Sequence, residues 1–336
     1  ASGLQAADSV AALPDGSFVV AYHQIDGGGR SIVLAGRFAR NGVPLVRPFV
    51  VHAPSSGSRF GAIVAADPSA AAAGGFAVAW SGAVTESVPP QEPVTYVNAY
   101  ARRFTAAGLP LGPELTVAQG SVEDGGSSAY AGGIAAAADG TLWVAVDTVA
   151  ETAAVELVHV GRRGALLGFI QPDQGCCTAQ YAATVKRAAD GSLALVWTAD
   201  VNDQPSGATI WAQSFAADGT PLIAAPLLVS GRLANESQPA VAAYPQGAFV
   251  AAWFDGPAAA GPGLGPTARV FGPGGSALSR PFAIDPGTPY DDQLLGDLAA
   301  GASGDLVAVW EDVPSGPSAI RARSITPSAP LAAGAD

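Results

Sequence analysis

The chain has 336 residues, a formal net charge of −12, 13% charged residues, 49% hydrophobic residues, 42 glycines and 27 prolines. Its single lysine, Lys186, leaves too little basic surface for phosphates, which excludes nucleic acid and argues against anionic membrane surfaces. No apolar run reaches the ~18 residues of a membrane-spanning helix, and ample apolar residues with abundant Gly and Pro fit short strands and tight turns rather than disorder.

The chain holds no Met, and Ala1-Ser2-Gly3 reads as the start of a mature chain after signal-peptide removal. Four runs of strand length follow, at 10–13, 17–22, 32–38 and 46–52. The second alternates, with Phe18, Val20 and Tyr22 on one side and Val19 and Ala21 on the other, as in a strand packed differently on its two faces. Pro14-Asp15-Gly16 joins the first two runs as a hairpin, since Asp and Gly accept the turn dihedrals.

The same order of features recurs along the chain. An aromatic residue ends the second run at Tyr22, Trp80, Trp197, Trp253 and Trp310, with Val146 as the exception in the third repeat. A third run closes on Phe38, Phe104, Val160, Phe215, Phe271 and Ile325, each followed by a Gly-containing or Pro-containing turn. The repeats cover about 5–55, 58–120, 127–172, 178–232, 236–287 and 292–336. Six four-stranded antiparallel units in one domain predict an all-β, six-bladed β-propeller, with the outer strand of the last blade poorly formed.

VAALPDGSFVVAY…AGRFARNGVPL, echoed by AADGSLALVWTAD…AQSFAADGTPL, resembles the propeller repeats of secreted bacterial adhesin-like surface proteins. The resemblance covers nearly the whole chain. It implies an exported repeat protein, in the periplasm, outside the cell or in a cell-surface assembly, and no single activity.

In such a fold, second-to-third-strand loops and inter-blade loops share one face. They are expected near 23–31, 81–95, 147–154, 198–208, 254–267 and 311–318, and near 53–62, 119–132, 172–182, 230–238 and 285–297. Most of the acids fall there, including Asp26, Glu86, Asp173, Asp200, Asp255, Asp285, Asp292, Asp297 and Asp312, against Arg30, Arg59 and Arg232. Such a face suits a glycan, a cation, another small molecule or a protein partner; solubility is the plainer explanation. Calcium is the cation that oxygen-rich loops would take, and no cofactor motif is present.

Candidate binding residues follow from repeat position. Gln5, Arg59, Ala129, Gln180, Glu236 and Gln293 each stand five places before a first strand and would converge, either on a ligand or on one another's loops. Tyr130, Tyr181 and Tyr290 add aromatic surface. Cys176 and Cys177 sit beside Asp173 in PDQGCCTAQY and, with no third cysteine, are either two thiols or a vicinal disulfide, the latter in an oxidising compartment. The repeated tryptophans are expected to pack between blades.

The sequence lacks HExxH, GxSxG, P-loop and EF-hand motifs, and also sialidase-type Asp boxes. The reading is a non-enzymatic binding module. Its alternatives are a glycan-active enzyme using two of the acids, or a structural surface subunit.

Overall fold

The computed structural model describes residues 5–54, 57–70, 74–87, 92–122, 126–172, 177–201, 207–231, 236–256, 265–285, 292–301, 304–313 and 319–326. These residues form antiparallel strands and two single 3-10 turns, with no α-helix among them. Blade 1 holds β1 (Gln5–Ala12), β2 (Phe18–Ile25), β3 (Ser31–Phe38) and β4 (Pro44–Val50). Blade 2 holds β5 (Arg59–Ala66), β6 (Phe76–Glu86), β7 (Val94–Phe104) and β8 (Leu115–Ala118). Blade 3 holds β9 (Ser128–Ala136), β10 (Leu142–Val149), β11 (Ala153–Val160) and β12 (Leu166–Ile170). Blade 4 holds β13 (Cys177–Arg187), β14 (Leu193–Val201), β15 (Ala208–Phe215) and β16 (Leu227–Leu228). Blade 5 holds β17 (Glu236–Ala243), β18 (Phe249–Asp255), β19 (Gly265–Phe271) and β20 (Phe282–Ala283). Blade 6 shows three strands among the described residues, β21 (Asp292–Ala300), β22 (Leu306–Val313) and β23 (Ala319–Ile325). Each blade is a simple antiparallel meander, and together they are the six blades of a β-propeller. Blades 1–3 make one compact unit, Ala1–Ile170, and blades 4–6 another, Gln171–Asp336.

Asp-Gly-Ser/Thr triplets make the first hairpins of blades 1, 3 and 4. Asp15 Oδ1 accepts from the Ser17 N–H (3.0 Å) and hydroxyl (2.5 Å), while Gly16 takes φ +80°. Asp139-Gly140-Thr141 and Asp190-Gly191-Ser192 repeat this geometry. The Thr141 N–H bonded to the Asp139 carboxylate holds that carboxyl below its usual range.

The strands are longer than the apolar runs suggested. First strands start at the polar residues expected in loops, because each first–second pair carries a β-bulge. The extra residues lie between Ala7 and Ser9, Phe60 and Ile63, Ala131 and Gly133, Tyr181 and Thr184, Ser237 and Ala240, and Leu295 and Asp297. A bulge absorbs an off-register residue and lets pairing resume beyond it. Gln5, Arg59, Ala129, Gln180, Glu236 and Gln293 are therefore strand residues, as is Asp297. Second and third strands also outrun their apolar cores, so the expected loop at 81–95 shrinks to the gap between Glu86 and Val94.

The core lies between neighbouring blades of each unit. One cluster joins blades 1 and 2 through Val19, Val33, Val64, Phe76, Trp80 and Phe104, and another joins blades 2 and 3. In the second unit, one cluster joins blades 4 and 5 around Trp253, and another joins blades 5 and 6 around Trp310. Trp80, Trp197, Trp253 and Trp310 are at most 5% exposed, so they are packing residues, as expected. Val146 packs equally deeply, which explains why an aliphatic residue is tolerated at that anchor.

Candidate functional site

A row of residues crosses each blade near the first-strand start. Register sets the starting residue opposite the one that follows the anchor by two places. The pairs are Gln5–Gln24, Arg59–Gly82, Ala129–Thr148, Gln180–Ala199, Glu236–Asp255 and Gln293–Asp312. Arg59, Gln180, Glu236 and Gln293 are 5%, 2%, 0% and 1% exposed, so these positions are not an open polar rim. Gln5, Cys177 and Asp292 are described as backbone alone, while Asp173, Cys176 and Tyr290 lie outside the described residues.

Two residues of this row, and three beside it, tie strands and loops of neighbouring blades together. Glu236 Oε2 accepts from the Ile210 N–H (3.0 Å) of the preceding blade's third strand. Ser58 Oγ and Ser128 Oγ, beside the row, do the same for Ser31 (3.3 Å) and Val97 (3.1 Å). Gln293 Nε2 donates to Asp285 Oδ2 (3.0 Å), and Gln238 Oε1 accepts from the Leu295 N–H (2.8 Å). These bonds support the reading in which the polar residues tie strands and loops together.

Blade 2 departs from this pattern. Arg59 Nη1 donates to the Ser58 and Ala83 carbonyls (3.2 and 3.0 Å), and its guanidinium lies 5.0 Å above the Tyr100 ring. The Tyr100 ring in turn stacks on Trp80 at 6.1 Å. Buried Asn98 donates to the Tyr100 hydroxyl (3.2 Å) and accepts from the Gly120 N–H (2.8 Å). Among the described residues no carboxylate pairs with Arg59, and its buried Nε has no hydrogen-bond partner. Gly82 makes room, since a Cβ there would lie 2.7 Å from the Arg59 side chain.

Tyrosine–carboxylate pairs recur near the same strand ends. Tyr96 donates to Glu86 Oε1 (2.6 Å), which pushes the phenol up to about 12 because the neutral form makes the bond. Tyr181 donates to Asp200 Oδ1 (3.1 Å) and is also pushed up to about 12, first by burial and then by this bond. Tyr130 stands opposite Asp147 in register. Tyr130 and Tyr181 are half-buried, so each keeps ring surface accessible.

The acids are less available than their number suggested. Asp26 pairs with Arg30 (2.9 Å), Asp297 with Lys186 (2.8 Å) and Asp312 with Arg321 (3.2 Å), while Asp255 is 2% exposed. No group of three or more His, Cys, Asp or Glu side chains among the described residues is arranged to hold a metal ion. Sequence reasoning passed over Gly82, Asn98 and Tyr100. Its available signal was the place two residues after each anchor, where Gly82, Asp255 and Asp312 stand.

No family model matches the chain, and no curated protein matches it in sequence. Solved structures do match in fold. A protein of unknown function from Dyadobacter fermentans DSM 18053 superposes with a TM-score of 0.61 at 14% identity, covering 95% of this chain and 94% of its own. The Hadza microbial sialidase Hz136 gives 0.57 at 12% identity, covering 92% and 63%. Trypanosoma rangeli sialidase in complex with the inhibitor DANA gives 0.50 at 11% identity, covering 93% and 53%. The chain thus spans less than two thirds of either sialidase's length. At these identities, what is shared is the propeller fold.

Proposed function

We propose that the protein is an exported, non-enzymatic binding module that recognises a polyhydroxyl ligand of the glycan class. The observation that carries this is a tyrosine set beside a carboxylate at strand ends, hydrogen-bonded in Tyr181–Asp200 and in the buried Tyr96–Glu86 and opposite in register in Tyr130–Asp147, with the Tyr130 and Tyr181 rings half-buried. An aromatic face beside an oriented acceptor suits a sugar ring, which offers C–H surface and hydroxyl donors together. The bulged, blade-to-blade hydrogen bonds hold these strand ends still, which limits the ordering cost of binding. Export goes with this reading, and in an oxidising compartment Cys176 and Cys177 would close a vicinal disulfide. Thiol titration of protein from its native source, before and after reduction, tests that part.

Binding of the whole chain to a glycan panel tests the function. Tyr130→Ala and Tyr181→Ala are expected to weaken a positive signal by about tenfold each, the size of one lost stacking or hydrogen-bond contact. A folded protein that binds no glycan, or binds one equally well in both variants, would refute the proposal. Glu236 and Asp255, facing each other across β17 and β18, favour the second reading, a glycan-active enzyme using two carboxyls. Turnover of a polysaccharide that disappears in Glu236→Gln and Asp255→Asn would establish it.

A further inference from the structure

We infer that Arg59 anchors a binding site for a monocarboxylate ligand, which would take the Nε–Nη2 edge of its guanidinium. The inference uses none of the tyrosine–carboxylate pairs and does not depend on the glycan reading. Three observations carry it.

The first is an imbalance of charge. An arginine keeps its proton in a protein, and a buried charge is costly unless paired. Arg59 is 5% exposed, yet its described partners are two carbonyls and one aromatic ring. Glu114, the acid that reaches the linker before β5, is committed to the Ala53 N–H at 2.7 Å.

The second is the orientation of the donors. Nη1 is occupied by Ser58 and Ala83, whereas Nε is buried and unpartnered and Nη2 makes no hydrogen bond among the described residues. The remaining edge is the two-pronged fork that matches the two oxygens of a carboxylate. One negative charge would balance Arg59, while a phosphate dianion would leave an excess among neutral groups such as Asn98 and Tyr100.

The third is that glycine makes room for the side chain at this row position in blade 2 alone. Gly82 and Gly57 flank it, with ideal Cβ positions 2.7 and 3.3 Å from Arg59 atoms. The residues equivalent to Gly82 in the other rows are Gln24, Thr148, Ala199, Asp255 and Asp312. His52 lies near enough to feel the same charge: burial holds its imidazole below the usual range and Arg59 adds to the effect.

The test is a titration of the full chain, labelled with ¹⁵N-arginine, with acetate and with D-glucuronate, using chloride at matched ionic strength as the control. A saturable shift of the Arg59 Nε–H resonance with acetate or glucuronate, absent with chloride, is expected. Tighter binding of glucuronate assigns the site to a sugar acid; equal affinity assigns it to simple carboxylates. Arg59→Gln should abolish the binding, and Gly82→Ala should weaken it by about tenfold by displacing the guanidinium. If Arg59→Gln fails to fold, the wild-type resonance decides alone. A resonance unmoved by both carboxylates, or moved equally by chloride, overturns the inference, as does carboxylate binding that survives in a folded Arg59→Gln.

Discussion

Blades 2 and 5 carry the same row with opposite chemistry. In blade 2 a buried cation, Arg59, faces Gly82. In blade 5 two buried acids, Glu236 and Asp255, face each other. Both rows follow a fully packed tryptophan by two residues, and both begin just before a bulge whose first residue has positive φ, Gly61 (+61°) and Gln238 (+53°). The shared frame is hydrophobic and backbone-made. What the frame presents is left to single residues, so function should be sought where the rows differ.

The largest effect should come from breaking the frame. Trp253→Ala removes a side chain 1% exposed from the core joining blades 4 and 5, at a cost of ~3–5 kcal/mol in urea unfolding. A much smaller loss would mean the anchor does not position the row.

Next is the row itself. Glu236→Ala deletes the acceptor for the buried Ile210 N–H and is expected to destabilise by ~1–3 kcal/mol, with Glu236→Gln, which keeps an acceptor, milder. Equal effects would show that charge, not the hydrogen bond, dominates in blade 5.

Acidity should separate the rows further. His52 is held below its usual range in the folded state by burial and by Arg59, so the unfolded chain takes its proton first. Its contribution is present above an unfolded pKa near ~6.5 and is lost as pH falls below it. His159, stacked on Trp143 at 3.9 Å and held down by burial, adds to the same slope. His52→Gln should flatten part of the pH–stability curve below about 6.5. An unchanged slope would detach His52 from the blade 2 site.

The smallest effect is expected at the surface. Lys186–Asp297 is partly exposed, and Asp297→Asn should change stability by less than ~1 kcal/mol, a difference that fades in high salt. A larger effect would place this bridge among the inter-blade fastenings.

The fold was legible because its signals repeat. The Asp-Gly turns, the period-two runs and the aromatic anchors each act locally, and their order alone implies meandering blades. The row was half legible: repeat position singled out Arg59, Gln180, Glu236 and Gln293, but their place in loops was mistaken. An apolar pattern ends where a strand's neighbours change from blade core to polar strand end, while backbone pairing continues past a bulge that leaves little mark in composition. The acidic loops were also overread, since Lys186 and Arg321, counted outside them, pair with Asp297 and Asp312.

The sequence by itself determined an all-β chain of six repeated units and the packing role of the tryptophans, because hydrophobic periodicity and turn chemistry are properties of neighbours along the chain. Only the tertiary structure decided that Arg59 lies buried over Tyr100 with no carboxylate paired to it among the described residues, while Glu236 lies opposite Asp255. Those relations depend on cross-strand register and on bulges, which bring together residues more than fifteen positions apart.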